Sequence, residues 1–373
     1  MRNNSGEFYR CLNVNGFLHW SFFPNKLTLM TDCLKMDIEL AHMLTQAHRL
    51  LGVLEGTVRN LPDIEPFLHM ILLNEARNSC AFDGIMADME SILIFSKQTA
   101  DGIMVKNYCD TLQKLKKEPF SLNVLCKIHK NIMKGELTSL SGEIRKEVFL
   151  MHPQYATNME EYNPPPPDQL WGLMEDLRQF IQTNHSADVL VKAAISYYQF
   201  ETIHPFVSGN GRVGRILILL ILMQEGILSY PAFPMSAYLL EGKDECLRHF
   251  TNIQHFSNFS AWLRFFINGI AVSAENTICQ LETAKELRKT NTHKIRIYGK
   301  PCGILLRLYA YIEKNPYISV NDVSREFGMA YNTAAKYIEI LCEMGVLLKT
   351  EGQMRYRLFR FDGLLRLFQY VNN

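Results

Sequence analysis

The sequence has no apolar run long enough to cross a bilayer. Its most apolar stretch, Ile216 to Met223, is too short and reads as a buried helix, so no membrane role is expected. It has no Cys-x-x-Cys pair and no Cys/His zinc spacing. Its nine cysteines, an odd count, read as free thiols of a reducing cytoplasm. It has almost no net charge, +1, which excludes a globally basic nucleic-acid binder and confines any such surface to one region. Met1 to Gly16 is polar and lacks the apolar core of a signal peptide. Repeats and low-complexity tracts are missing as well. What remains is an ordinary globular composition, 47% apolar and 21% charged, in a 373-residue chain that suggests two or three domains.

One stretch concentrates chemistry: His204-Pro205-Phe206-Val207-Ser208-Gly209-Asn210-Gly211-Arg212-Val213-Gly214-Arg215. The apolar run directly after it places the small-residue turn at a helix N-terminus. There free N–H groups and the positive dipole end favour an anion. Gly209 and Gly211 allow close approach to the backbone, and Asn210 tolerates a left-handed conformation and offers an amide donor. Arg212 and Arg215, three apart, lie on one helix face as a fork for phosphate oxygens. His204 stands just upstream, where an imidazole can take a proton from an attacking hydroxyl. Taken singly, such a turn, arginine pair or histidine is ordinary; their order within one short stretch is not.

The stretch resembles the Fic family signature, His-Pro-Phe-x-(Asp/Glu)-Gly-Asn-Gly-Arg-x-x-Arg, at eight of nine fixed positions. The departure is Ser208, where the family carries a metal-binding carboxylate. The resemblance implies AMP transfer from ATP, with Mg2+, to a protein hydroxyl. It makes His204 the base, gives Asn210 and the amides of the Gly209–Gly211 turn the α-phosphate, and gives Arg212 and Arg215 the outer phosphates. A second resemblance lies upstream. Ser79-Cys80-Ala81-Phe82-Asp83-Gly84 is similar to the Fic inhibitory motif (Ser/Thr)-x-x-x-Glu-(Gly/Asn), whose carboxylate pairs with the second signature arginine, here Arg215. Asp83 is one methylene shorter than the family's Glu. Read without the family, Glu75, Ser79 and Asp83 are a polar helical stripe.

Around these motifs the pattern is helical. Met36 to Leu54 and Pro66 to Ala81 read as amphipathic helices separated by a turn at Asn60-Leu61-Pro62-Asp63, after an irregular, partly buried opening at Trp20 to Pro24. Asp88 to about Met133 reads as helical. Glu147 to Met151 is apolar and partly β-branched, and Pro164 to Pro167 close that segment. It resembles the Fic flap, a short hairpin that presents a target protein by strand addition. Leu190 to Ile203 is a buried helix entering the site. Further on, Cys246-Leu247 stands where many Fic proteins carry a Tyr-Tyr pair that helps hold the nucleotide. Trp262 to Ala274 reads as the last core helix and Ile278 to Lys294 as a charged connector.

From Ile295 the punctuation changes. Gly303 to Lys314, Val320 to Phe327 and Tyr331 to Glu343 read as three helices, and Val346 to Lys349 with Arg355 to Phe359 as a wing. The segment resembles a winged-helix domain. Its 11 Lys/Arg against 7 Asp/Glu give a local net of +4. Asn332, Thr333 and Lys336 are placed to face a groove, and Lys349, Arg355 and Arg357 to touch a backbone. Two uses stay open: DNA contact, or dimerisation and protein docking.

The expectation is a mainly α fold: a regulatory region at 1–95 with the inhibitory helix, a Fic core with a short β-hairpin flap at 96–277, a linker helix at 278–294 and a winged helix at 295–373. The leading function is an autoinhibited protein adenylyltransferase of the cytoplasm. The alternatives are a transcription regulator whose Fic domain senses a nucleotide without turning it over, favoured by Ser208 and Cys246-Leu247, and a Fic enzyme that removes AMP with Asp83 positioning water.

Overall fold

The computed structural model describes residues 5–12, 18–27, 36–117, 119–136, 140–148, 163–183, 187–350 and 357–368. It opens with an antiparallel hairpin, β1 (Gly6–Leu12) and β2 (Leu18–Pro24), where an irregular segment was expected. A two-stranded hairpin is marginal alone in water. This one is held by distant partners. Ser5 Oγ donates to the Ile253 carbonyl at 2.6 Å, Phe8 stacks on His255, and the Phe22 amide donates to the Asn163 carbonyl at 3.0 Å.

Helix α1 (Ile38–Asn60) starts where the Asp37 carboxylate accepts the Leu40 amide at 2.9 Å, and it buries Leu40, Leu44, Ala47, Leu51, Leu54 and Val58 on one stripe. After the Leu61–Ile64 turn comes α2 (Glu65–Phe82). The continuous helical stretch expected from Asp88 divides into α3 (Met89–Leu93), a 3₁₀ turn at Phe95–Lys97, α4 (Ala100–Gln113) and α5 (Leu122–Ile132). The breaks are set by local caps: Asp88, Thr99 and Ser121 each accept an amide of the helix that follows. Helix α6 (Pro167–Thr183) begins at the last of the four prolines.

The centre is α7 (Val189–Ile203) packed on α8 (Asn210–Gln224); nearly every side chain of both is buried. Their close approach depends on Gly214. A Cβ there would stand 2.2 Å from Glu201 Oε1 and 3.1 Å from the Tyr197 ring. Helices α9 (Ser236–Glu241) and α10 (Lys243–Phe256) follow. Then α11 runs unbroken from Phe259 to Ile297, about 58 Å at the ordinary rise, joining the expected core helix and connector into one rod. No Gly or Pro interrupts it beyond Gly269, and its buried face passes from Trp262 and Phe266 through Leu281 and Ala284 to Ile295.

The C-terminal unit has helices α12 (Cys302–Lys314), α13 (Val320–Phe327) and α14 (Tyr331–Glu343). A three-stranded sheet of order β3-β5-β4 joins Tyr317–Ser319, Leu358–Arg360 and Leu348–Lys349, and α15 (Asp362–Leu367) closes it. Ser319 and Asp322 form a reciprocal capping box, and Gly328 at φ 61° ends α13. This is the winged-helix arrangement read from the sequence. The wing tip, Glu351 to Gln353 and Arg355, lies outside the described residues. The unit docks on the first turn of α2. Phe368 stacks on Phe67, and Arg288 lies 4.1 Å over the same ring while pairing with Glu313 at 2.8 Å. Among the described residues no helix is long and apolar enough to cross a membrane.

Candidate active site

Helix α7 ends at His204, whose backbone is left-handed (φ 50°, ψ 61°). For a residue with a side chain this conformation costs of order 1–3 kcal/mol and persists only where the surroundings hold it. They do so from both sides: the His204 amide donates to the Phe200 carbonyl at 3.0 Å, and its carbonyl accepts Arg145 Nε at 2.8 Å. Protein atoms crowd the imidazole and bury its Nδ1, while the residue as a whole stays partly accessible. Burial first, then the nearby Arg145 guanidinium, pushes the imidazole down to about 4; a hydrogen bond to the Glu201 backbone and the Asp83 charge pull the other way. The ring is therefore neutral at pH 7 and can accept a proton.

The loop from His204 to Gly209 is tied to itself and to its neighbours. Asn210 is buried, and its side-chain amide makes a two-way clasp with Phe206: Oδ1 accepts the Phe206 amide and Nδ2 donates to the Phe206 carbonyl, each at 2.8 Å. Its expected left-handed backbone is not there. Gly209 (φ 73°) and His204 take those positions, and Asn210 is already in the first turn of α8, so the bend is made one residue earlier. Gly209 must lack a side chain, since a Cβ would lie 2.8 Å from Met133 Sδ. The Ser208 carbonyl accepts His129 Nε2 at 3.0 Å. The Gly142 amide donates to His129 Nδ1 at 2.8 Å, which fixes the imidazole as the Nε2–H tautomer. His129 also stacks flat on Phe206, with centroids 3.9 Å apart.

The two arginines are both buried, and they diverge. Arg215 Nε donates to Ser79 Oγ at 2.7 Å, and its Nη2 donates to the Ser79 carbonyl at 2.8 Å and to Asp83 Oδ1 at 2.9 Å. Its guanidinium also lies over the Phe82 ring at 4.7 Å. Arg212 turns the other way: Nη1 pairs with Glu136 at 2.8 Å, Nη2 reaches Met133 Sδ at 3.3 Å, and Nε stands 3.6 Å from Asp83 Oδ2. The shorter Asp83 thus reaches Arg215, and its second oxygen faces Arg212. Gly211 is the residue that permits this, because a Cβ there would stand 2.8 Å from Asp83 Oδ1. Arg212 Nε and Arg215 Nη1 are buried donors without a hydrogen bond among the described residues, so the pair retains capacity for an anion.

Behind Arg215 lie two acids whose carboxyls burial pushes up. Glu75, which accepts the Ser236 amide and hydroxyl, is raised to about 7, and Glu201 to about 8. Glu75, on the polar stripe of α2, is 2% accessible, because the α2 face bearing it packs on α9. Cys246 is a fully buried core thiol near Glu201 and Arg215. Ser208 is partly accessible and brings a hydroxyl only, and among the described residues no group of three or more His, Cys, Asp or Glu is set for a metal ion. Of the expected flap, Glu147 and Val148 are described, and Phe149 to Met151 lie outside the described residues.

Residues 119–222 match the Fic/DOC family, residues 41–114 the Fic/DOC family N-terminal region and residues 303–347 a winged helix-turn-helix DNA-binding family. The chain contains a Fic domain. A probable protein adenylyltransferase of Aquifex aeolicus is 41% identical over 69 residues, 18% of this chain and 22% of that protein. The protein adenylyltransferase Fic of Drosophila virilis is 38% identical over 65 residues, 17% of this chain and 13% of that protein. These matches span under a quarter of either relative. In fold, a Fic family protein from Desulfovibrio desulfuricans covers 88% of this chain, with 97% of its own length, at TM-score 0.59 and 18% identity. A Fic domain containing signaling protein from Bacteroides thetaiotaomicron covers 64%, with 97% of its own length, at TM-score 0.52 and 16% identity.

Three residues that organise this Fic site carried no signal as isolated positions: His129, Glu136 and Arg145. Each acts across 59 or more residues of chain.

Proposed function

We propose that this chain transfers AMP from ATP to a hydroxyl of a protein target and that Asp83 holds the activity down. The observation carrying the proposal is the Asp83–Arg215 pair at 2.9 Å within a turn whose other parts suit nucleotide chemistry. His204, held neutral, serves as the base for the target hydroxyl. The amides of the Gly209–Gly211 turn face the dipole end of α8 and receive the α-phosphate, while the buried N–H groups of Arg212 and Arg215 receive the outer phosphates. The Asn210 side chain supports this by locking the loop rather than by touching the nucleotide. Magnesium supplies charge neutralisation when it arrives on the phosphates; Ser208 is the side chain at the metal position and adds no charge of its own. The target hydroxyl is presented beside the flap that begins at Glu147.

With Asp83 engaged, Arg215 cannot give the same geometry to an outer phosphate. ATP then binds with its α-phosphate poorly aligned for in-line attack, and transfer is slow. Incubation with labelled ATP and Mg2+ tests the proposal. Label covalently on protein supports it, and bound nucleotide without label contradicts it.

A second reading, a transcription regulator that senses nucleotide, has its own support. Helix α2 carries Asp83 at its C-terminal end and, at its N-terminal end, Phe67 in contact with Phe368 of the winged helix and with Arg288 of α11. In that reading ATP is bound without transfer, and DNA affinity changes with nucleotide.

A further inference from the structure

One buried side chain joins the flap to the base. Arg145 is 2% accessible and lies in the segment leading to the flap. Its three kinds of nitrogen go to three different carbonyls: Nε to His204 at 2.8 Å, Nη1 to Glu147 at 3.0 Å and Nη2 to Pro165 at 2.5 Å. Its backbone amide donates to the Pro205 carbonyl at 2.9 Å. Glu147 stands where the flap segment departs and Pro165 where it returns, so the guanidinium closes the neck of that segment. The same group holds the carbonyl of His204, the residue with the left-handed backbone. A planar fork can serve three acceptors in one plane; an ammonium is a single point and cannot reach all three.

We infer that Arg145 is a positioning residue for adenylyl transfer, fixing the neck of the target-presenting flap and the backbone of His204 to each other so that a docked hydroxyl meets the imidazole in register. This rests on the adenylyl-transfer reading. The three carbonyls that the Arg145 guanidinium serves belong to His204, Glu147 and Pro165, not to Arg212, Arg215 or the Gly209–Gly211 turn, and ATP affinity is expected to survive its replacement. Its charge also bears on the imidazole, which is faced by Arg145 from the flap side, by Asp83 from α2 and by the Glu201 backbone from its own helix.

The test uses the full chain carrying Asp83→Gly, with Arg145→Lys or Arg145→Gln added. In both variants transfer should fall by about 10- to 100-fold, the scale of a misplacement near 1 Å, while ATP Kd stays within about twofold. The two variants should differ in one respect. His204, followed by imidazole nitrogen NMR between pH 5 and 8, stays neutral when Lys keeps the charge and begins to protonate at the acid end when Gln removes it. Transfer by Arg145→Lys within twofold of its parent would overturn the inference, as would a loss of ATP affinity that accounts for the loss of rate. If the parent transfers no AMP, the functional reading fails separately, and amide exchange decides the tie itself. Faster exchange at Glu147, Asn163 and His204 in Arg145→Lys, with α7 and α8 unchanged, supports it; unchanged exchange there overturns it.

Discussion

The loop at the head of α8 and the exposed face of α14 are both basic surfaces, yet they are in opposite states. In the loop, Arg212 and Arg215 are buried and already paired with carboxylates of this chain, Glu136 and Asp83. On the winged helix, Asn332, Thr333, Lys336, Lys349 and Arg357 are exposed, and none of these three cations is in an ion pair among the described residues. A cation already engaged at 2.9 Å must be released before it serves a ligand, so the loop can be regulated by competition. An open cation attracts any phosphate backbone at once and is limited by salt. On the proposed reading the first site works as a switch, and the second is suited to a constitutive contact.

The largest effect expected from breaking this contrast is at the base. His204→Ala should cut transfer by about 10²–10⁴-fold with ATP Kd unchanged, because only proton transfer loses its partner. The winged helix should be indifferent to it. The pH profile sharpens the point. The imidazole is pushed down to about 4, and a base works above its own value. The rate should therefore be flat from pH 6 to 8 on this limb and fall only toward pH 4. A limb near pH 6.5 would mean that another group is titrating.

The second effect concerns α14. If Lys336, Lys349 and Arg357 each meet one phosphate, duplex affinity should fall by about 40-fold between 50 and 200 mM salt, and Lys336→Ala should reduce that slope by about one contact. Fluorescence anisotropy with a labelled duplex measures both. The loop predicts no such salt slope for ATP, because its competitor is a tethered carboxylate.

A smaller effect is expected at Ser208. One added carboxylate near 4 Å contributes about 1–4 kcal/mol with a divalent or cationic partner, so Ser208→Asp should raise Mg2+ affinity by about tenfold and raise transfer with it. Calorimetric titration with Mg2+ in the presence of ATP checks the assignment. No change would remove Ser208 from the metal position.

Much of this was legible because the chemistry is local in sequence. His204 to Arg215 is contiguous, and two of the winged-helix helices are punctuated by Ser319, Gly328 and Gly345 where they start and stop. That Ser79 and Asp83 share a face was readable from helical spacing, and the contact of Asp83 with Arg215 is the one the family resemblance implied. What stayed hidden depends on partners far away in the chain. The β1–β2 hairpin lacks clear alternation and is held through Ser257 and Asn163. Glu75 looked like a solvated acid because its partner, Ser236, lies 161 positions away. Asn210 was expected to face a ligand, whereas its amide is consumed by Phe206 only four residues back, a clasp that exists only once the loop is bent. The continuity of α11 was missed because a charged surface segment and an apolar core segment look like two helices although nothing breaks the backbone between them.

The central claim is that Asp83 and an outer phosphate compete for Arg215. Its most direct measurement is the initial rate of self-labelling from ATP, at saturating ATP and Mg2+, for the natural chain and for Asp83→Gly in parallel, with thermal unfolding recorded on both. The account predicts a clearly faster rate for the glycine variant at unchanged ATP affinity, abolished in both backgrounds by Arg215→Ala. Equal rates for the two chains, with both folded, would contradict it and would leave the 2.9 Å pair as a structural contact of α2 with α8.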